Sequence, residues 1–150
     1  MRANLYRDLC ERLSLLDGGV IKHLDLWNRN VEFIEQEEGW YRPAVFIEFG
    51  KIARSVVVGG CYQRGEGSFK LHLVTDWIGS TAFGSEYMEC ALSDLGFSAK
   101  IQAAIEGLSG DGYDAVRLVE TYTNHDHEEL VESIDVYRFK CLRRIGISGV

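Results

Sequence analysis

Apolar residues recur along this chain with changing period, and each stretch of constant period predicts one element. Leu5, Leu9, Leu13 and Leu16 stand three or four apart, with Arg2, Arg7, Glu11 and Arg12 on the rest of the wheel. That spacing predicts an amphipathic helix over residues 2 to 16, and Gly18-Gly19 ends it. From Val20 to Pro43 apolar and charged residues mix without a period. The segment is an extended or a helical piece leading into an acidic loop at Glu35 to Gly39. Pro43-Ala-Val-Phe-Ile-Glu-Phe49 predicts a strand whose proline sits at the first position, where the missing N–H does least harm. Arg54 to Val58 predicts a second strand. After a glycine-rich connection from Gly59 to Gly67 comes the cleanest alternation in the chain. Phe69, Leu71 and Leu73 take one face, and Lys70, His72 and Asp76 the other, in a strand that ends at Trp77.

Beyond Trp77 the period lengthens to that of a helix. Phe83, Tyr87, Met88, Ala91, Leu92 and Leu95 share one helical face up to Gly96. Ser98 is placed to cap a second helix carrying Ile101, Ala104, Ile105 and Leu108, closed by the glycines from Gly107 to Gly112. Two runs rich in β-branched and aromatic residues follow, Val116 to Asn124 and Leu130 to Leu142, joined by a polar segment. They predict a long antiparallel hairpin. In its second strand Leu130, Ile134 and Val136 share one parity, whereas Tyr137, Phe139 and Cys141 take the other. Either a β-bulge lies near Val136 and Tyr137, or both faces are covered there. The fold class is α+β: a mostly antiparallel sheet of about five strands, with an N-terminal helix and a two-helix crossover packed on one face. Residues 1 to 150 form one domain.

Composition sharpens this picture mainly by exclusion. An apolar fraction of 46% and a single proline describe an ordered globular chain. No uninterrupted apolar run approaches the roughly 20 residues of a membrane-spanning helix. Cys10, Cys61, Cys90 and Cys141 are too far apart for a C-x-x-C motif, and the charged N-terminus is no secretory signal, so reduced thiols inside a cell are expected. A net charge of -7 argues against a protein that grips nucleic acid by neutralising phosphates.

Candidate chemistry is sparse. His125 and His127 stand two apart beside Asp126 and Glu128, the pattern that on an extended chain turns two imidazoles the same way. A solvated hairpin turn explains the same residues, because neither His23 nor His72 has a sequence relation to them. Serines and cysteines occur without a nucleophile setting, and Cys10, Cys90 and Cys141 fall where a small buried hydrophobe is the ordinary explanation. Gly59, Gly60, Gly65 and Gly67 precede a strand and not a helix, so they make a hairpin loop and no phosphate cradle. Asp111-Gly112-Tyr113-Asp114 is too short for a calcium loop and makes a turn. No catalytic, metal or cofactor residue is assigned, and the chain is not expected to be an enzyme. Trp40-Tyr41, set beside acidic residues, is an exposed anchor for another subunit.

The order of segments resembles the tail-terminator, or tail-completion, proteins of long-tailed phages and prophages. The stretches that carry the likeness are YRPAVFIEF, SFKLHLVTDW, ALSDLGFSAKIQAAIEGL and VRLVETYTNHDHEELVESIDVYRFKCL, and with the N-terminal helix they span about residues 1 to 142. The resemblance implies a virion structural protein that caps the tail tube as a ring, a hexamer, and meets the head-tail connector protein. Its partners would be copies of itself, the tail-tube protein and the connector, with DNA only passing through the lumen and no membrane. It would reside in the virion tail, after assembly in the host cytoplasm. The contacts of such proteins map onto Trp40, Tyr41, Arg64, His125, Asp126 and His127. Two other readings stay open: another head-tail joining protein, and a small intracellular module that binds a peptide or ligand between sheet and helices.

Overall fold

The computed structural model describes residues 1–28, 40–56, 60–76, 79, 82–124 and 130–144. The chain runs α1 (Arg2–Ser14), β1 (His23–Leu26), β2 (Ala44–Val56), β3 (Tyr62–Asp76), α2 (Met88–Leu95), α3 (Phe97–Ile105), β4 (Tyr113–Asn124) and β5 (Leu130–Arg144). One sheet contains all five strands in the order β1-β2-β3-β5-β4. Only β1 is parallel to its neighbour; the other pairs are antiparallel. The α+β architecture predicted from periodicity is the one observed.

The helices cover one face of the sheet because their apolar stripes fall there. Leu5, Leu9 and Leu13 of α1 and Phe97, Ile101 and Ile105 of α3 are buried against Ile47, Phe69, Leu71, Tyr137 and Phe139. Each fully buried side chain of this kind contributes roughly 1.5–3 kcal/mol over its exposed state. Phe69 and Tyr137 stack across the β3–β5 pair with ring centroids 5.2 Å apart. Near one end of the strands the opposite face carries a second, smaller core of Trp40, Ala44, Phe46, Val74 and Leu130, with Trp27 against it.

Several expectations change. The aperiodic stretch after α1 contains β1, whose four residues His23–Leu26 are too few to display a period. The two strands expected at Pro43 to Phe49 and Arg54 to Val58 are one strand, β2, whose register shifts between Phe49 and Ile52. That irregularity resets the alternation and imitates a strand break. Glu35 to Gly39 lies outside the described residues. Ser98 does not cap α3: the N-cap is Gly96, and the Ser98 hydroxyl donates to Asp135 at 2.6 Å. In α2 no residue is buried, so the apolar face read from Phe83 to Leu95 does not enter this core, and Cys90 is exposed. The crossover packs on the sheet through α3.

Gly65 and Gly67 were expected in a loop, but they lie inside β3, which begins at Tyr62. Their neighbours require glycine. A Cβ on Gly65 would stand 2.6 Å from the Cys141 sulfur, and one on Gly67 would stand 2.7 Å from Phe139 Cζ and 2.9 Å from Ile52 Cγ1. The bare backbone leaves room for Phe139 to lie flat on β3. For β5 the second alternative holds, burial on both faces, and the bulge near Val136 and Tyr137 belongs to the neighbouring strand. β4 shifts register between Leu118 and Glu120, opposite Tyr137 and Val136, while Ile134 and Tyr137 are buried on opposite faces.

Alanine for glycine within an open strand normally helps folding by roughly 0.5–1 kcal/mol. At Gly67 the overpacking against Phe139 and Ile52 reverses that sign. Gly67→Ala is expected to lower the unfolding free energy by about 1–3 kcal/mol in urea titrations. An unchanged or raised midpoint would mean that the Phe139 ring moves aside freely.

Candidate functional site

Two carboxylates three residues apart on β5 are buried on opposite faces of the sheet, and each is held by donors from other elements. Glu132 is 1% exposed. Its Oε2 lies 3.0 Å from His72 Nδ1, and its Oε1 accepts from Asn124 Nδ2 at 2.6 Å. His72 stacks on Trp27 with centroids 3.8 Å apart and planes within 4°, and its Nε2 faces Glu48 Oε1 at 3.4 Å. That last pair is within ion-pair reach, but Nε2 makes no hydrogen bond. Asp135, on the helical face, accepts from Ser98 at 2.6 Å and from Thr121 at 2.8 Å. Close beside it, burial pushes the Tyr137 phenol upward from its ordinary pKa, with the Asp135 and Glu106 carboxylates adding to the effect.

A histidine between two carboxylates has the ingredients of acid–base chemistry. Among the described residues no serine, threonine or cysteine hydrogen-bonds to His72, and the open clefts lined by Arg54, Arg64 and Lys140 lie far along the strands from it. No group of three or more His, Cys, Asp or Glu among the described residues is placed to hold a metal ion. The cluster ties β2, β3, β4 and β5 together and clamps Trp27 over the second core.

The assembly candidates fall at two ends of the molecule. At the end where β2 begins, Trp40 turns inward against Phe46 and under the Arg42 guanidinium and is 8% exposed, so it is not the exposed anchor expected. Tyr41, its neighbour, is 80% exposed. His125, Asp126 and His127 lie outside the described residues, between strand ends Asn124 and Leu130. Arg64 is exposed and stands opposite Ser55 and Leu142, ten residues along β3 from the Val74 of that first end, or about 33 Å. The structure therefore does not bring Arg64 together with Trp40 and Tyr41.

Around Arg64 the other end of the sheet is basic. An open cleft of about 660 Å³ has Arg2, Arg54, Arg143 and Arg144 in its wall, and a neighbouring one of about 360 Å³ has Arg64 and Lys140. Against a total of 16 basic and 23 acidic residues, this is a marked local excess. Sequence reading missed both the arginine cleft and the His72 cluster. A signal for the latter existed: Glu132 shares the apolar parity of Leu130 and Ile134.

No protein-family model and no curated protein matches this chain. Among solved structures it is similar to a chain in the virion of a native gene transfer agent particle, with 10% identity and a TM-score of 0.58. The alignment covers 95% of this chain and 97% of that one. At that identity the likeness is one of fold, and it extends over essentially the whole of both chains.

Removing Glu132 leaves His72 and Asn124 facing a void within a buried polar cluster. Glu132→Ala is expected to cost about 2–3 kcal/mol of stability, as for leaving buried hydrogen-bonding groups unsatisfied. Glu66→Ala, which removes an exposed carboxylate 2.8 Å from Arg117, should cost no more than about 1 kcal/mol. Equal losses in chemical denaturation would show that the His72 cluster has no special weight.

Proposed function

We propose that this chain is a structural subunit of a phage-like virion, a tail terminator that closes the tail tube as a ring and meets the head connector, and that it is not an enzyme. The observation that carries the reading is the end-to-end fold likeness to a virion chain. The order of segments that resembles tail-completion proteins agrees with it. Support of a different kind comes from surfaces left unfinished in a single copy. α2 has no buried residue, and Phe83, Leu95 and Tyr41 are almost wholly exposed, as suits a subunit that completes its burial in an oligomer. The buried His72 cluster serves that role as a rigid strut and needs no substrate.

The decisive experiment is the solution mass of the purified chain by light scattering over a concentration series, with negative-stain imaging of the same samples. A closed ring of about six copies is expected, alone or on added tail tubes. A chain that stays monomeric and leaves tubes undecorated would overturn the reading. Decoration of isolated head connectors but not of tubes would move the protein to another joint of the virion.

A further inference from the structure

We infer that α2 of one copy docks in the arginine-lined cleft of a second copy, so that subunits join head to tail along their helical layer; this rests on the ring reading above. α2 is eight residues long, and none of them is buried. Phe83, just before it, is 93% exposed, and Leu95 and Leu92 are 79% and 49% exposed. An isolated helix below about 12–15 residues is marginal in water, so a two-turn helix gains its stability from a surface. Glu86 just before α2 and Glu89 and Asp94 within it make no ion pair among the described residues.

The cleft supplies what α2 lacks. Its lining is mainly polar, with Ile52 and Leu142 among its apolar members, and Arg54, Arg143 and Arg144 outnumber the one acidic residue there, Asp111. Arg54 and Arg144 have no carboxylate partner among the described residues, and Arg143 donates only to Gln63, at 3.2 Å. The two surfaces lie at opposite ends of the helical layer. Lys100, early in α3, pairs with Asp17 beyond the C-terminal end of α1, whereas Asn4, near its N-terminal end, donates to the Asp111 carbonyl beside the cleft. The length of α1, about 20 Å, separates them, so α2 sits away from its own cleft. A contact between different patches on successive copies is heterologous, and such contacts generate rings when the rotation closes. The occupant fits a second copy better than duplex DNA, since DNA offers phosphates to the arginines but no apolar stripe to Ile52 and Leu142. One two-turn helix covers less than the roughly 800 Å² per partner of a standard interface, so each single contact is weak and ring closure, with two contacts per subunit, stabilises the assembly.

The test uses the full chain with Phe83 replaced by the photo-reactive p-benzoylphenylalanine. Irradiation is expected to yield cross-linked dimers whose joined peptides contain residues 52–54 or 141–144. In parallel, Arg54→Glu with Arg143→Glu should weaken self-association roughly tenfold or more, and Glu89→Lys with Asp94→Lys should do the same. All four substitutions in one chain should restore it, which a merely misfolded variant cannot do. Cross-links confined to other regions, or reversal variants that assemble like the parent, would overturn the docking while a ring mass leaves the ring reading intact. A parent that neither cross-links nor associates overturns both. Gel shift with duplex DNA covers the remaining outcome: DNA binding lost in Arg54→Glu with Arg143→Glu, with assembly unchanged, would assign the cleft to phosphates and sink the proposal.

Discussion

The unbroken pairing of β3 with β5 is the constraint on which the other arrangements depend. All fifteen residues of β3 have a partner on β5, with no shift of register. Along that pair burial passes from one face to the other. Leu130, Glu132 and Ile134 are covered on the side of Trp27 and Trp40, and Asp135, Tyr137, Phe139 and Cys141 on the side of the helices. A slip of one residue would exchange these sets. It would carry Glu132 away from His72 and Asp135 away from Ser98, leaving two buried carboxylates without donors, each a cost of several kcal/mol. The buried carboxylates thus tie the β3–β5 register to the donors that face them.

The same pair decides where glycine must stand. Phe139 and Cys141 lie across β3 only because Gly67 and Gly65 present no side chain to them. The aromatic stack of Phe69 on Tyr137 follows one step along the strands. From there the helices α1 and α3 seat their stripes on a surface that is already aromatic and closely filled. The irregularities needed to wrap the sheet fall in the flanking strands β2 and β4, away from the central pair.

A mismatch of lengths leaves part of the sheet uncovered by the helices. A strand of fifteen residues spans about 50 Å, whereas the thirteen residues of α1 cover about 20 Å. One end of the long sheet is closed by Trp27, Trp40 and the His72 cluster. The other extends past the start of α1, and there Arg54, Arg64, Lys140, Arg143 and Arg144 line open clefts. At the far end of the helical layer α2 offers apolar and acidic side chains with no cover. The two ends of the sheet are therefore chemically unlike, one closed and aromatic, the other open and basic.

Local pattern by itself determined much of this protein. The stripes of α1 and α3, the alternation of Phe69, Leu71 and Leu73, the closing hairpin and the α+β class were all legible, because each is encoded by residues within one or two turns or pleats of each other. The two-sided burial of β5 was legible as well, from its change of parity. What no local pattern contained was set by partners distant in sequence. Gly65 and Gly67 resemble loop residues until Cys141 and Phe139 lie over them. Trp40 looks like an exposed anchor until Phe46 and Arg42 enclose it. The apolar face of α2 looks like core until the sheet turns out to be covered by α1 and α3 instead. His72 becomes a buried strut only when Glu132, sixty residues later, arrives diagonally across the β3–β5 pair from it. Periodicity reports which side chains leave water, and only the tertiary structure decides what they meet when they do.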